Sequence, residues 1–192
     1  MRGVADRADD SEITAWALAA GQGDADALAA FIRATQRDVH RFLTHLSGPA
    51  DAEDLRQETY LRALGSLHRF AGEAPARTWL LSIARRAAAD AVRRARRRPR
   101  TDGVEAWEAL GDNPMVVRGP AEGEILLRLL VAELDSDRQE AFVLTQVLDL
   151  SYAEAAEVCG CPIGTIRSRV ARAREDLVAA LQTHPRRRHS GS

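Results

Sequence analysis

The sequence predicts an all-α protein with two helical domains. Alanine and leucine dominate the apolar residues, β-branched residues are few, and aromatic residues make up only 5% of the chain. Apolar residues recur every three or four positions, the period of an amphipathic helix, and the alternation typical of strands is scarce. The stretch 99–121 contains glycines and prolines but no sustained period, so we expect a flexible linker between domains at 11–98 and 122–183.

Composition and charge exclude several classes of protein. The N-terminus lacks the apolar core of a signal peptide, and no apolar run is long enough to span a bilayer. We therefore expect a cytoplasmic protein with no membrane insertion. Cys159 and Cys161 form an isolated C-x-C with no ligand-rich cluster nearby, which predicts no metal site and no cofactor. The net charge of −1 says nothing about nucleic-acid binding. The arginines, however, gather in two blocks, and such basic blocks are typical of surfaces that bind nucleic acid.

The first two helices are predicted to build a core. Ser11 or Asp10 can cap a short helix that runs to about Ala20. Asp24 can cap a longer helix that runs to about Leu46 and carries an apolar stripe. Neither helix carries a residue pattern that indicates a catalytic or binding site.

The third helix, DAEDLRQETYLRAL, is predicted to start with Asp51 as its cap, after a turn at Ser47-Gly48-Pro49. Acids in a first turn are favourable with the helix dipole. This effect does not explain Gln57 and Glu58, which lie further into the helix. The outer face of this helix is therefore a candidate binding surface.

The fourth helix, which follows a loop at 68–76, is heavily positive. Trp79 and Ile83 are predicted to point inward, and Asp90 is the only acid in the helix. Arginines at i, i+4 spacing repel each other in a purely structural helix. Phosphates would remove that penalty, so the helix is predicted to bind nucleic acid.

The second domain is predicted to end in a helix-turn-helix. Two helices at about 122–134 and after a capping box at Ser136 and Gln139 would support it. Ser151 and Glu154 form a second capping box, and Gly160 suits the left-handed end of that helix. Pro162 suits the first position of the next helix.

The last helix has one apolar and one basic face. The apolar stripe comprises Ile163, Ile166, Val170, Ala173 and Leu177. The other face carries Arg167, Ser168, Arg169, Arg172 and Arg174, with no acid before Glu175. A solvated arginine face is the alternative interpretation, but acids would normally be interspersed there. The pattern favours a recognition helix that enters the DNA major groove.

Two motifs resemble a known family. LSYAEAAEVCGCPIGTIRSRVARARE is similar to the DNA-binding region 4 of extracytoplasmic-function sigma factors, the short alternative sigma subunits of bacterial RNA polymerase. DAEDLRQETYLRAL is similar to their region 2.2, nearly a hundred residues away. The resemblance covers roughly residues 12–181, and RTWLLSIAR and CGCPIGTIRSRVARAR are most similar to an actinobacterial, SigC-like branch.

The resemblance implies three partners: core RNA polymerase through its β′ and β subunits, promoter DNA, and an anti-sigma factor. The polymerase-binding residues it implies are Asp51, Asp54, Leu55, Gln57, Glu58 and Leu61. For the downstream, or −10, promoter element it implies Phe70, Glu73, Arg77, Arg85, Arg86, Arg93 and Arg94. For the upstream, or −35, element it implies Thr165, Arg167, Ser168, Arg169 and Arg172. Arg86 departs from the family, because many relatives have asparagine there; an arginine can still stack on a base or pair with phosphate, but the resemblance does not fix the base preference. The resemblance also implies that the linker threads the polymerase channels, where Asp102, Glu105, Glu108 and Asp112 would mimic the charge of nucleic acid. A solvated, flexible tether is the alternative interpretation of these acids.

Two other classes of function compete with this interpretation. A stand-alone helix-turn-helix regulator would use 122–181 in the same way, but leaves the third and fourth helices unexplained. An enzyme or ligand sensor needs a catalytic constellation or a phosphate loop, and neither occurs in the sequence. We therefore expect a sigma factor without enzymatic activity.

Overall fold

The structure is a computed structural model that describes residues 9–97 and 128–183. The helices of the first segment are α1 (Asp10–Gly21), α2 (Ala25–Ser47), α3 (Pro49–Ser66), a 3-10 helix (Leu67–Arg69) and α4 (Ala76–Arg97). In the second segment, residues 128–132 are helical (α5). They are followed by α6 (Ser136–Phe142), a π-helical turn (Val143–Val147), α7 (Tyr152–Cys159) and α8 (Ile163–Thr183). The described residues contain no strand, and the all-α prediction is confirmed.

Side-chain caps fix two helix starts where the sequence predicted them. The Asp24 carboxylate accepts hydrogen bonds from the backbone N–H groups of Asp26 and Ala27, each at 2.9 Å. The Ser151 hydroxyl accepts from the Glu154 N–H at 3.2 Å, while the Glu154 carboxylate accepts from the Ser151 N–H at 2.8 Å. Each bond satisfies a backbone donor that has no partner within the helix.

Three other helix starts differ from the prediction. The N-cap of α1 is Asp9 rather than the predicted Asp10 or Ser11. Helix α3 begins at Pro49 rather than after Asp51, because proline needs no hydrogen-bond partner in a first turn. Helix α6 is capped by Asp135, whose carboxylate accepts from the Asp137 N–H at 3.1 Å, and not by a box at Ser136.

Each segment has an apolar centre. In the first, Phe31, Phe42, Leu43, Leu80 and Leu81 are almost fully buried. In the second, the corresponding residues are Val143, Leu144, Leu148, Ile166 and Val170.

The two segments also pack against each other, α4 against α7 and α2 against α6. The predicted linker at 99–121, its four acids and the basic tail lie outside the described residues. The domain limits drawn from the sequence therefore stay predictions.

Candidate nucleic-acid interface

Helices α7 and α8 form the predicted helix-turn-helix. Gly160 ends α7 in the left-handed conformation at φ 64°, which a glycine adopts without a Cβ penalty. The buried side of α8 consists of Ile166, Val170, Ala173 and Leu177. Ile163 was expected in this stripe but is 40% exposed, because it lies at the first position of the helix. The rest of the stripe anchors α8 and leaves its basic face outward.

The basic face of α8 exposes three of the five residues expected at the −35 element. Arg167, Ser168 and Arg172 are exposed, and Thr165 is half-buried. The Ser168 hydroxyl donates to the Thr165 carbonyl at 2.9 Å, which fixes its orientation within the first turns of the helix. Side chains at this end of a recognition helix reach base edges.

Arg169 has a structural environment that the sequence did not indicate. It is half-buried, it forms an ion pair with Asp137 on α6, and it contacts the Cys161 sulfur at 3.7 Å. Arg169 thus ties α8 to α6 and to the turn before α8. A DNA contact by Arg169, which stays a prediction, would compete with these two interactions.

The outer face of α3 exposes most of the residues expected to bind polymerase. Asp51, Asp54, Gln57 and Leu61 are exposed, and Leu61 keeps 66% of its surface accessible. Leu55 is only 5% exposed and belongs to the core, so it is not presented on this face of α3.

A chain of charges links α3 to α4. The Glu58 carboxylate accepts from Arg62 at 2.8 Å, and Arg62 also donates to Asp90 at 2.7 Å. Asp90 pairs in addition with Arg93. Hydrogen bonds from Arg62 and Arg93 lower the pKa of Asp90. The single acid of α4 therefore orients that helix against α3, a role that sequence reasoning missed.

The loop expected to read a −10 base packs one of its candidate residues onto α4. The Phe70 ring lies 4.8 Å from the Trp79 ring, centroid to centroid, with the planes tilted by 36°. Both are half-buried, whereas Glu73 is exposed. Trp79 packs against the core, as expected, and the contact fixes Phe70 at the edge of the basic helix.

Arg77 does not offer its charge to a ligand in this structure. Its side chain is 8% exposed, its Nε donates to the Asp38 carboxylate at 2.6 Å, and its terminal nitrogen donates to the Leu148 carbonyl. It thus connects α4 to α2 and to the second segment. A DNA contact by Arg77 stays a prediction, and it would require these buried interactions to break.

Arg85 also bridges the two segments. Its Nε donates to the Glu140 carboxylate at 2.6 Å, and burial raises the pKa of Glu140 although Arg85 opposes this. Two more hydrogen bonds cross the same contact. Arg41 donates to the Val147 carbonyl at 3.1 Å, and Gln139 donates to the His45 carbonyl at 2.7 Å.

Three of the arginines expected at the −10 element remain at the surface of α4. Arg86, Arg93 and Arg94 are exposed, and Arg93 keeps its pair with Asp90. Four of the seven residues expected at the −10 element, these three and Glu73, are therefore presented to solvent.

The cysteines give no sign of a metal centre. Cys159 is buried, and burial raises the pKa of its thiol to about 12; Cys161 is half-buried. Within 9–97 and 128–183 no group of three or more potential ligands comes together. In the same part of the chain no helix is both long and apolar enough to cross a bilayer.

Two family descriptions match the chain. Sigma-70 region 2 matches residues 31–98, which run from within α2 to the end of α4. Sigma-70 region 4 matches residues 124–177, which include the helix-turn-helix. The sigma factor SigC of Mycobacterium tuberculosis is 52% identical over 176 residues, 92% of this chain and 95% of that protein. The factor EcfG of Rhodopseudomonas palustris is 37% identical over 81% of this chain and 86% of its own length.

Two solved structures have the same fold as this chain. CnrH, bound to the cytosolic domain of CnrY, aligns with a TM-score of 0.70 at 23% identity, over 91% of this chain and 99% of that one. RpoE of Bartonella quintana, bound to the anti-sigma factor NepR, aligns with a TM-score of 0.66 at 25% identity, over 82% of this chain and 98% of that one.

Proposed function

The chain belongs to the extracytoplasmic-function RNA polymerase sigma factors, and from that premise we propose that it reads two promoter elements with separate surfaces and helps to open the duplex. As a sigma factor it binds core RNA polymerase and promoter DNA and directs transcription initiation. The observation that carries the proposal is the exposed arginine face on α8, together with a second basic surface on α4.

The −35 element is read by the start of α8. Arg167 and Arg172 extend from the exposed face, and an arginine that is bidentate to guanine supplies about 1–3 kcal/mol of discrimination. Thr165 and Ser168 contact the backbone or a base edge. Arg169, held by Asp137, supports the angle at which α8 leaves the turn.

The −10 element is read by the loop 68–76 and held by α4. Phe70 and Glu73 lie in the loop, and exposed bases are bound by stacking and by contacts to their edges. Arg86, Arg93 and Arg94 lie along the surface of α4, where they neutralise phosphates. Arg85 joins them only when the two segments separate, because Glu140 engages it in the described arrangement.

Core polymerase binds the exposed face of α3. Asp54, Gln57 and Leu61 lie at spacings of three and four, so they share one helical face. The acid pairs with basic groups on β′, while Leu61 supplies apolar contact. Glu58 is at the edge of this face, where its pair with Arg62 holds it.

An anti-sigma factor regulates the chain. The support is the solved relative from Bartonella quintana, which is bound to the anti-sigma factor NepR. A polypeptide of this kind would cover the exposed face of α3 or the basic face of α8, since either would block initiation.

The test is transcription with core polymerase from a promoter pool in which the −35 and −10 positions are varied independently. We expect a defined preference at both elements and co-purification of the chain with core polymerase. Permanganate footprinting should show opening at −10 on a duplex promoter. A preference at one element only, without retention on core polymerase, would instead identify a stand-alone helix-turn-helix regulator.

A further inference from the structure

Helix α1 touches the loop 68–76 and both of its flanks. Its contact residues are Thr14, Leu18 and Gly21, whose spacings of four and three place them on one helical face. The sequence indicated no role for this face beyond packing. The three contacts fall at the start, the middle and the end of the segment that joins α3 to α4.

At the end of the segment, Thr14 fixes the point where the loop becomes α4. Its hydroxyl donates to the Asp10 carbonyl at 2.7 Å and accepts from the Ala76 N–H at 3.0 Å. Ala76 is the first residue of α4 and is fully buried. Its N–H has no partner within its own helix, so Thr14 caps α4 from a position 62 residues away.

At the start of the segment Gly21 allows a close approach, and at its middle Gly72 lies next to Leu18. A Cβ at Gly21 would lie 2.7 Å from the Leu67 carbonyl oxygen, so the end of α1 lies directly against the backbone there. Gly72 has φ +73°, and a Cβ at this position would lie 3.4 Å from the Leu18 side chain. The Leu18 side chain on α1 therefore packs against the turn of the loop at Gly72.

We propose that α1 is a positioning element for −10 recognition, a proposal that rests on the proposed function of the loop. Phe70 and Glu73 lie between the anchored points. Anchoring the segment at three points removes loop conformations during folding, so less ordering remains when a base is captured. Loss of an anchor should therefore weaken discrimination between −10 bases while the −35 preference and core binding persist.

The test compares Thr14→Val with Thr14→Ser in the full-length chain on core polymerase. Transcripts are sequenced from a pool with a randomised −10 region and a fixed −35 element. Valine removes the hydroxyl and leaves the buried Ala76 N–H unpaired, so we expect −10 discrimination to fall about five- to tenfold. Serine keeps the hydroxyl and should restore it.

Thr44→Val is the matched control, because the Thr44 hydroxyl also donates to the carbonyl four residues earlier, that of His40, at 2.8 Å. It should keep the wild-type −10 preference. Leu18→Ala is a second variant that reports on the middle anchor if Thr14→Val does not fold, since Leu18 is 37% exposed. Its −10 discrimination should also fall.

Two results would overturn the proposal. One is a wild-type −10 preference in both Thr14→Val and Leu18→Ala, while Phe70→Ala or Glu73→Ala changes it. The other is an equal loss of −10 preference, −35 preference and core binding, which marks a general effect on folding. If the Phe70 and Glu73 variants also keep the wild-type preference, the proposed function of the loop fails instead.

Discussion

Replacement of Arg77 by methionine separates a structural role from a DNA-binding role. Methionine keeps much of the side-chain length but removes the charge that pairs with Asp38 and the donor to the Leu148 carbonyl. Both groups lie where Arg77 is only 8% exposed, so water cannot readily replace it. Removal of one partner of a buried ion pair costs about 3–5 kcal/mol.

This cost is a large part of the stability of a domain, which is typically about 5–15 kcal/mol. In a protein of this size each kcal/mol shifts Tm by about 2–4 °C, so Arg77→Met should lower Tm by roughly 6–20 °C. The measurement is thermal unfolding by circular dichroism, with urea unfolding at 25 °C as a second readout. Single-strand −10 DNA binding should persist below the transition.

Arg86→Met is the matched control on the same helix. Arg86 is exposed, so its replacement should change stability by less than about 0.5 kcal/mol and weaken DNA binding with a smaller salt dependence. The reasoning is refuted if Arg77→Met keeps the wild-type Tm and loses DNA affinity as Arg86→Met does. Arg77 would then be a DNA contact.

Four further predictions address the other surfaces and the two cysteines. Leu61→Glu should leave Tm unchanged but weaken retention on core polymerase, because Leu61 is 66% exposed; normal retention would place polymerase elsewhere. Arg167→Ala should relax the preference at one −35 position by about 1–3 kcal/mol, whereas a uniform loss across sequences would make it a phosphate contact. Cys159 should resist iodoacetamide at neutral pH, since burial raises its thiol pKa to about 12, and rapid labelling would contradict this. The double replacement Cys159→Ser and Cys161→Ser should keep activity, and stoichiometric zinc lost in that variant would contradict the absence of a metal site.

Local signals in the sequence were enough to predict the helix-turn-helix. A capping box at Ser151 and Glu154, a left-handed Gly160 and a period of three to four in α8 all act within a few residues. Such short-range chemistry does not depend on the rest of the fold, so it can be recognised in a single sequence. The same helical period also predicted that the basic side of α8 is exposed.

The partners of the arginines could not be predicted in this way. Arg77 meets a carbonyl 71 residues away, Arg85 a carboxylate 55 residues away, and Arg169 a carboxylate 32 residues away. Nothing in the local pattern distinguishes these side chains from Arg86 or Arg167, which stay exposed. Only the packing of helices that are distant in the sequence, within a segment or between the two, selects which charges are paired.

Leu55 was included in the predicted polymerase-binding set because of its motif and not because of its helical position. Its position in DLRQE made it part of the motif, but its helical phase placed it with Ala52 and Thr59, both fully buried. The resemblance selected the helix, and the period indicates which of its residues face outward. Where the two disagreed, the period was the better guide, because burial follows geometry rather than motif membership.

The contacts between the two segments would couple ligands that bind different surfaces of the chain and need the segments apart. Arg85 is held by Glu140, and three hydrogen bonds, from Arg41, Arg77 and Gln139, reinforce that contact. A ligand that needs the segments apart must spend part of its binding free energy on breaking these bonds, which lowers its apparent affinity for the free chain. If core polymerase meets that cost, promoter DNA does not meet it again. Each would then raise the affinity of the chain for the other by the same factor, as thermodynamic linkage requires.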